Sequence, residues 1–361
     1  MVLRKLLVLT RLPFWRARSG VQVRILTMVR AIQPWVQVVV NHPHPLNAQD
    51  LECLRVLDPP LEVLALERAS FPEYFARTED LCRSGGVDAC LFERLEMGGL
   101  RPAVPEGVLA ILDTHDLLSS HQESRSRAGV STEGGFSLSK ELALLDAFDL
   151  VLMIQQEEYG RVAEALGDKA LLVPHPSLGP CQVPRATLST LGFMGSDYEA
   201  NPDGLGWFLQ EVWPRLEGHG LGMHLWGTVG SRLGRPLPEG WTDHGFVADP
   251  EQAWGAMDAF VNPVRWGSGL KIKSAEALGR GLPLVSTSCG VSGLPAHGEA
   301  FLVADGAAEF AGAVLRLKED AALRRRLSEA GRRLAARLLS PRACFGPLFD
   351  RLGLPKEHLT G

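Results

Sequence analysis

Short apolar runs alternate with helix-length segments along this chain, and they do so twice. The first pass gives "KLLVLT", "WVQVVVN", "VDACLFE", "GVLAILDTHD", "FDLVLMIQ" and "KALLVPHP", with stretches such as "SGVQVRILTMVRAI" between them. A strand covered by helices on both faces of a parallel sheet reads as an unbroken apolar run, so this pattern predicts βαβ units. At 174–187 the segment "PHPSLGPCQVPRAT" interrupts the rhythm with four prolines. The alternation then restarts with "LSTLGFMG", "GMHLWG", "DAFVNPV" and "GLPLVST". With 361 residues, more than twice the usual domain size, two domains are expected. The predicted class is α/β: doubly wound domains over 1–176 and 187–339, a linker at 177–186, and a helix at about 340–361 packing back on the first domain. Such sheets bind ligands at the carboxyl ends of their strands, so a cleft between the domains is the expected site.

Composition narrows the partners. The formal net charge is −5, so the whole chain carries no electrostatic footprint for nucleic acid. The six cysteines (Cys53, Cys82, Cys90, Cys181, Cys289, Cys344) form no CxxC pair, which argues against a zinc site and a secreted disulfide framework and for a reduced, cytoplasmic protein. No apolar run approaches the roughly 20 residues that span a bilayer. The first segment lacks the cleavage site of a signal peptide and reads as a strand. Further on, "NPDGLGWFLQEVWPRL" reads as a helix with Asn201 as N-cap, Pro202 in the first turn and Asp203 near the positive dipole end. The two closing helices carry arginine-rich faces that are expected to be solvated.

One stretch departs from ordinary packing. In "RWGSGLKIKSAEALGRGLPLVST", residues 265–287, Arg265, Lys271 and Lys273 surround Gly267, Ser268 and Gly269 where a buried helix begins. A tight glycine turn with surface lysines is one reading. The other is an anion site, because amides of the loop and of the first helical turn point outward with partial positive charge. Three cations add to that field, each on the order of 4 kcal/mol at 4 Å from a phosphate before desolvation. Glu276 suits sugar hydroxyls better than phosphate.

The second half of the chain resembles the group 1 glycosyltransferases, retaining enzymes of glycosyltransferase family 4 with the two-domain GT-B fold. The likeness runs through "LGFMGSDYEANPDGLGWFLQEVWPRL", "HLWGTVG" and "GFVADPEQAWGAMDAFVNPVRWGSGLKIKSAEALGRGLPLVST". In the first half, "RLPFWRARSGVQVRILTMVRAI", "LDTHDLLSS" and "FDLVLMIQQEE" stand where the family has its glycine loop and acceptor-domain strand ends. The resemblance implies that Arg265, Lys271 and Lys273, with Gly267, Ser268, Gly269 and Gly195, hold the donor nucleotide and its diphosphate. Glu276 matches the second glutamate of the family's E-x7-E motif, a nucleotide-ribose contact, while the first glutamate is replaced by Ser268. The family's paired glycine is reduced to Gly20, and its "PNG" reads "PHP" around His175. No DxD triplet occurs, which fits enzymes that manage the leaving diphosphate with protein cations and helix dipoles rather than a metal.

Other candidates lie at strand ends. "LDTHD" puts Asp113, His115 and Asp116 past a central strand; they read either as a structural histidine capped by carboxylates or as a group that donates to the donor sugar or the acceptor hydroxyl. The resemblance favours the second reading, for His115 first and Asp116 second. His42 and His44 in "NHPHP" read as an acceptor-side loop rather than a metal site. Arg11, Arg16, Arg18 and Arg24 interleave with Phe14 and Trp15, either as a partly packed loop or as a surface for an anionic acceptor, a lipid carrier or a membrane. Gln155 and Glu158 read as a strand end and helix start. The expected protein is a metal-independent, hexosyltransferase-like retaining glycosyltransferase without cofactor, using a nucleotide-sugar donor such as a UDP- or GDP-sugar and an unidentified glycan, lipid, protein or small-molecule acceptor. It is expected in the cytoplasm, with a peripheral position at the inner membrane face as a variant. A GT-B epimerase or phosphorylase, and a catalytically silent GT-B protein that binds carbohydrate or partners an active transferase, are the alternatives.

Overall fold

A computed structural model describes residues 3–131, 135–234, 236–294 and 299–359. Both passes of the alternation form parallel sheets. The first contains β1 (Lys5–Leu9), β2 (Gln37–His42), β3 (Glu62–Ala65), β4 (Ala89–Glu93), β5 (Leu109–Asp113), β6 (Leu150–Met153) and β7 (Ala170–Leu172), in spatial order β3-β2-β1-β4-β5-β6-β7. The second contains β8 (Thr190–Gly195), β9 (Gly222–Gly227), β10 (Trp241–Asp243), β11 (Ala259–Asn262), β12 (Leu284–Ser286) and β13 (Leu302–Val303), in order β10-β9-β8-β11-β12-β13. Winding reverses between β1 and β4, and between β8 and β11, where a doubly wound sheet opens its binding crevice.

The inner strands carry the cores. Leu7, Leu9, Val39, Cys90, Phe92, Ala110 and Leu112 belong to one buried cluster of the first sheet, closed by Phe148, Val162 and Leu166. The three strands that the apolar pattern does not predict, β3, β10 and β13, all lie at sheet edges and are short and partly exposed. A solvated edge needs no continuous apolar run, which removes the signal.

Contacts divide the chain into two units. One comprises Met1–Ser120, Gly134–Pro174 and Cys344–Thr360; the other comprises His121–Glu133 and His175–Ala343. Residues 344–359 join the first unit, where His358 accepts a hydrogen bond from Trp35 Nε1 (2.8 Å) and donates to the Ala31 carbonyl (2.7 Å). The proline-rich stretch is tied down within the second unit rather than left slack. Ser177 N donates to Leu339 O (2.9 Å) and Gln182 N to Arg280 O (2.8 Å).

One local expectation needs correction. Arg324, on the second closing helix (Ala321–Leu338), is buried rather than solvated. Its guanidinium donates to the carbonyls of Leu317 and Lys318 (2.9 Å to the latter), at the end of the preceding helix Ala307–Glu319, where acceptors are orphaned and the dipole is negative. The loop holding Phe14 and Trp15 is partly packed, one of its two readings: both rings are buried, Trp15 Nε1 donates to Asp50 (2.7 Å), and Arg16 holds the same carboxylate at 2.7 and 2.8 Å. Burial alone would raise the Asp50 carboxyl, but Arg16, the Asn47 amide and Trp15 together bring it down to about 2. Among the described residues, no helix is long and apolar enough to cross a membrane, and all six cysteines are free thiols.

Candidate functional site

In the second unit, β11 ends at Asn262 and the chain runs through the glycine loop into the helix Ile272–Arg280. Asn262 Nδ2 donates to Ser274 Oγ and to Gly290 O, each at 2.8 Å, pinning the first turn of the helix to the sheet. Gly267 (φ 120°) and Gly269 (φ 67°) occupy backbone conformations that a side chain would strain. The N-cap position falls on Lys271, which has no oxygen to offer, so the first-turn amides have no side-chain cap.

The cations gather around this start. Lys271 Nζ donates to Ser268 O (2.8 Å). Lys273 Nζ reaches Asn201 Oδ1 and sits 4.4 Å from the centre of the Phe193 ring. Burial, reinforced by the charge of Lys271, lowers the Lys273 ammonium to about 7. Arg265 pairs with Asp203 at 2.9 Å on the exposed side. Burial raises the Glu276 carboxyl against the opposing charge of Arg280. Gly195 closes β8 where a Cβ would lie 2.7 Å from the Phe193 ring. The loops after β8 and β11 thus meet at the winding reversal of their own sheet.

Asn201 is not the N-cap that the sequence predicts. The helix Ala200–Trp207 starts one residue earlier, with Glu199 at the cap position and no side-chain cap bond. The Asn201 amide is engaged elsewhere: its Nδ2 donates to Ser196 O (2.9 Å) while its oxygen accepts from Lys273.

The spacing of residues gives no warning of what lies over the loop. Residues 121–131 belong to the second unit, and Gly267 N donates to Ser124 Oγ at 2.9 Å. Arg125 lies 4.7 Å from the centre of the Trp266 ring and pairs with Glu199 at 2.9 Å. His121 Nε2 and Tyr198 Oη are 2.5 Å apart. An aromatic inside a glycine stretch, Trp266, is the sequence signal that fits such a partner.

The first unit brings a second set together. His115 follows β5 with φ 60°, a left-handed conformation that costs a non-glycine residue about 1 kcal/mol. Its Nε2 lies 2.7 Å from Glu93 Oε2 and 3.5 Å from Asp113 Oδ2. Glu93 ends β4 directly opposite Asp113 in the sheet register. Arg24, from the helix Gly20–Ile32, donates to both oxygens of Asp113 at 2.7 Å and to Val173 O at 2.9 Å. All four side chains are buried. Burial raises the Glu93 carboxyl; Asp113, equally buried, is nevertheless lowered by Arg24 and His115. Glu93, Asp113 and His115 lie close enough to share a cation. With both Asp113 oxygens already held by a guanidinium, the set reads as an ion-pair network instead.

The other candidates disperse. Asp116 is half-buried beside His115. Gly20 opens its helix behind the cap Ser19, and the exposed Arg18 donates its backbone N–H to Gln22. His42 is buried, 3.2 Å from the Thr10 carbonyl and edge-on to Trp15, and burial lowers its pKa. Gln155 caps the helix Gln156–Leu166 through its side-chain oxygen, Glu158 is buried in that helix, and His175 is buried in the second unit.

Residues 189–320, which contain the whole glycine loop, match the sequence model of the family described as Glycosyl transferases group 1. No curated protein matches the chain in sequence. Solved structures match over nearly its full length. HepE from Anabaena, in complex with UDP-glucose, is 15% identical with a TM-score of 0.67, over 92% of this chain and 94% of that one. Sucrose-phosphate synthase from Thermosynechococcus elongatus is 15% identical with a TM-score of 0.74, over 97% and 99%. WaaG, a glycosyltransferase involved in lipopolysaccharide biosynthesis, is 14% identical with a TM-score of 0.63, over 95% and 99%. At these identities the likeness is one of fold, two Rossmann-like domains of the GT-B architecture. The chain has the GT-B fold, and its residues 189–320 are similar to the group 1 glycosyl transferases.

Proposed function

We propose that the protein is a retaining, metal-independent glycosyltransferase that takes a sugar from a nucleotide-diphosphate sugar. The observation that supports this is the glycine loop of the second unit, inside the family-matched stretch, where Lys271 stands at an uncapped helix start with Lys273 in the first turn and Arg265 in the preceding loop. HepE, of the same fold, binds UDP-glucose. The cations and the helix dipole take up the charge that develops as the bond from anomeric carbon to phosphate breaks. The acceptor oxygen forms its bond on the same face, and its proton passes to the leaving phosphate. His115 donates a hydrogen bond at the reacting sugar, and Glu276 accepts from the ribose.

A thermal-shift panel of UDP-, GDP-, ADP- and CMP-sugars, followed by a donor-hydrolysis assay in EDTA, tests the reading. Stabilisation by one nucleotide family and turnover that survives chelation are expected. If no nucleotide raises the melting temperature, or if hydrolysis stops in EDTA and returns with Mg²⁺, the reading is wrong. Arg265→Ala and Lys271→Ala should each weaken nucleotide-diphosphate binding by about 2 kcal/mol, the loss of a charge-assisted bond. Calorimetric titration measures this, and unchanged affinity in both variants would refute the assignment.

Lys273 adds a pH signature. Its ammonium loses its proton near 7 in the free site, and a neighbouring diphosphate favours the charged form, so binding takes up a proton. Affinity should level off below about pH 6 and fall about fivefold from pH 7 to 8. Lys273→Met should bind more weakly and lose that slope. A wild-type affinity independent of pH over this range would remove Lys273 from the site.

A further inference from the structure

The polar network of the first unit holds one more carboxylate than it has fixed cations. Arg24 neutralises Asp113 through two bonds of 2.7 Å, and Glu93 remains. The groups facing His115 come from three elements: Glu93 from β4, Asp113 from β5, and Arg24 from the helix Gly20–Ile32. Buried charges must be balanced, so a proton has to reside on the His115–Glu93 pair. Glu93 Oε2 takes Nε2 at 2.7 Å, while Glu93 Oε1 is buried with no hydrogen-bond partner among the described residues. The carboxylate is therefore committed to the imidazole. Nδ1 is the ring nitrogen left for any contact with a substrate.

We propose that Glu93 is a positioning residue, which fixes the ring of His115 and shares a proton with its Nε2, so that Nδ1–H is presented as a hydrogen-bond donor to the reacting sugar. The inference rests on the glycosyltransferase reading and deepens it. It assigns the donor character of His115 to a partner that sequence spacing does not reveal, 22 residues away. The left-handed backbone at His115 belongs to the same arrangement, since it turns the chain at the strand end while the ring lies over Glu93. Arg24 completes it by occupying the second carboxylate, Asp113, which leaves Glu93 as the closest acceptor for Nε2.

The test compares Glu93→Gln with wild type. Glutamine keeps the shape and can still accept from Nε2–H, but it cannot share a proton with the ring, so Nδ1 is left as an acceptor rather than a donor. Turnover with the preferred nucleotide sugar should fall about tenfold at pH 8, and its basic limb should move at least one pH unit lower, with KM for the donor unchanged. In parallel, ¹⁵N-imidazole NMR at pH 8 should show His115 Nδ1 carrying a proton in wild type and lacking it in the variant. Glu93→Asp, which retains the charge but shortens the reach, should lose turnover while keeping the position of the basic limb; this variant also covers the case in which Glu93→Gln does not fold. A pH profile and His115 Nδ1 protonation that match wild type, with activity scaling only to the folded fraction, would overturn the inference while leaving the transferase reading standing. A wild-type protein that turns over no nucleotide sugar would overturn the parent reading and the catalytic use of the pair, and the NMR arm would then report the pair by itself.

Discussion

Arg24→Met should destabilise the first unit by about 3–5 kcal/mol, the usual penalty for stripping one partner from a buried ion pair. Arg24 and Asp113 are both fully buried, joined by two bonds of 2.7 Å, and Arg24 also satisfies the Val173 carbonyl. Methionine fills much of the volume but leaves the carboxylate beside Glu93 with no guanidinium. The sign with pH follows from the direction of the shift. Asp113 is lowered in the folded protein, so the pair stabilises the fold above the ordinary carboxylate range and loses that contribution as the pH falls below it. The gap between variant and wild type should therefore be widest at neutral pH and narrow toward pH 4, where the stranded carboxyl takes a proton. Denaturant titrations at pH 7 and pH 4.5 measure both. Pairing Arg24→Met with Asp113→Leu should recover part of the loss, because no buried charge is then left alone. A single-variant loss below about 1 kcal/mol at neutral pH would show that water reaches the pair.

His115→Ala should cut turnover by about 10²-fold, in the range of a positioned proton donor or hydrogen-bond partner. Nucleotide affinity should barely move, because the proposed diphosphate contacts lie on the other unit. Alanine also removes the buried contact with Glu93, so a modest drop in melting temperature is expected alongside. The discriminating measurement is the split between kcat and nucleotide Kd on the folded fraction. Loss of binding and turnover together, in proportion to unfolding, would return His115 to a purely structural role.

Much of this architecture can be read from the chain, for a definite reason. Inner strands buried on both faces must be apolar throughout, and "LLVL", "VVV" and "LVLM" carry that demand openly. The edge strands β3, β10 and β13 escape it, and so they escape notice. The glycine loop was visible because φ values of 120° and 67° admit little but glycine, and because lysines at a buried helix start need an explanation. Contacts made across long sequence distances were not visible. Arg24 gives no sign that it will meet Asp113 across 89 residues, and Ser124 none that it will receive the Gly267 amide across 143. Asn201 misled for a related reason. Asparagine before a proline is a good cap by local rules, but a neighbouring lysine from another segment claims its side chain.

Residues 121–131 have a consequence for how the molecule can be dissected or altered. By contacts, the chain passes between the two units four times among the described residues, near 120, before 135, at 174–175 and at 343–344. The second unit is therefore not a continuous cassette. A fragment beginning at 175 would keep Gly267 but lack the hydroxyl of Ser124, and it would expose the Trp266 face that Arg125 covers. Exchange of such a domain between relatives, by recombination or by design, has to carry a short insert from the other half along with it. Otherwise the transplanted loop arrives without the segment that lies against it.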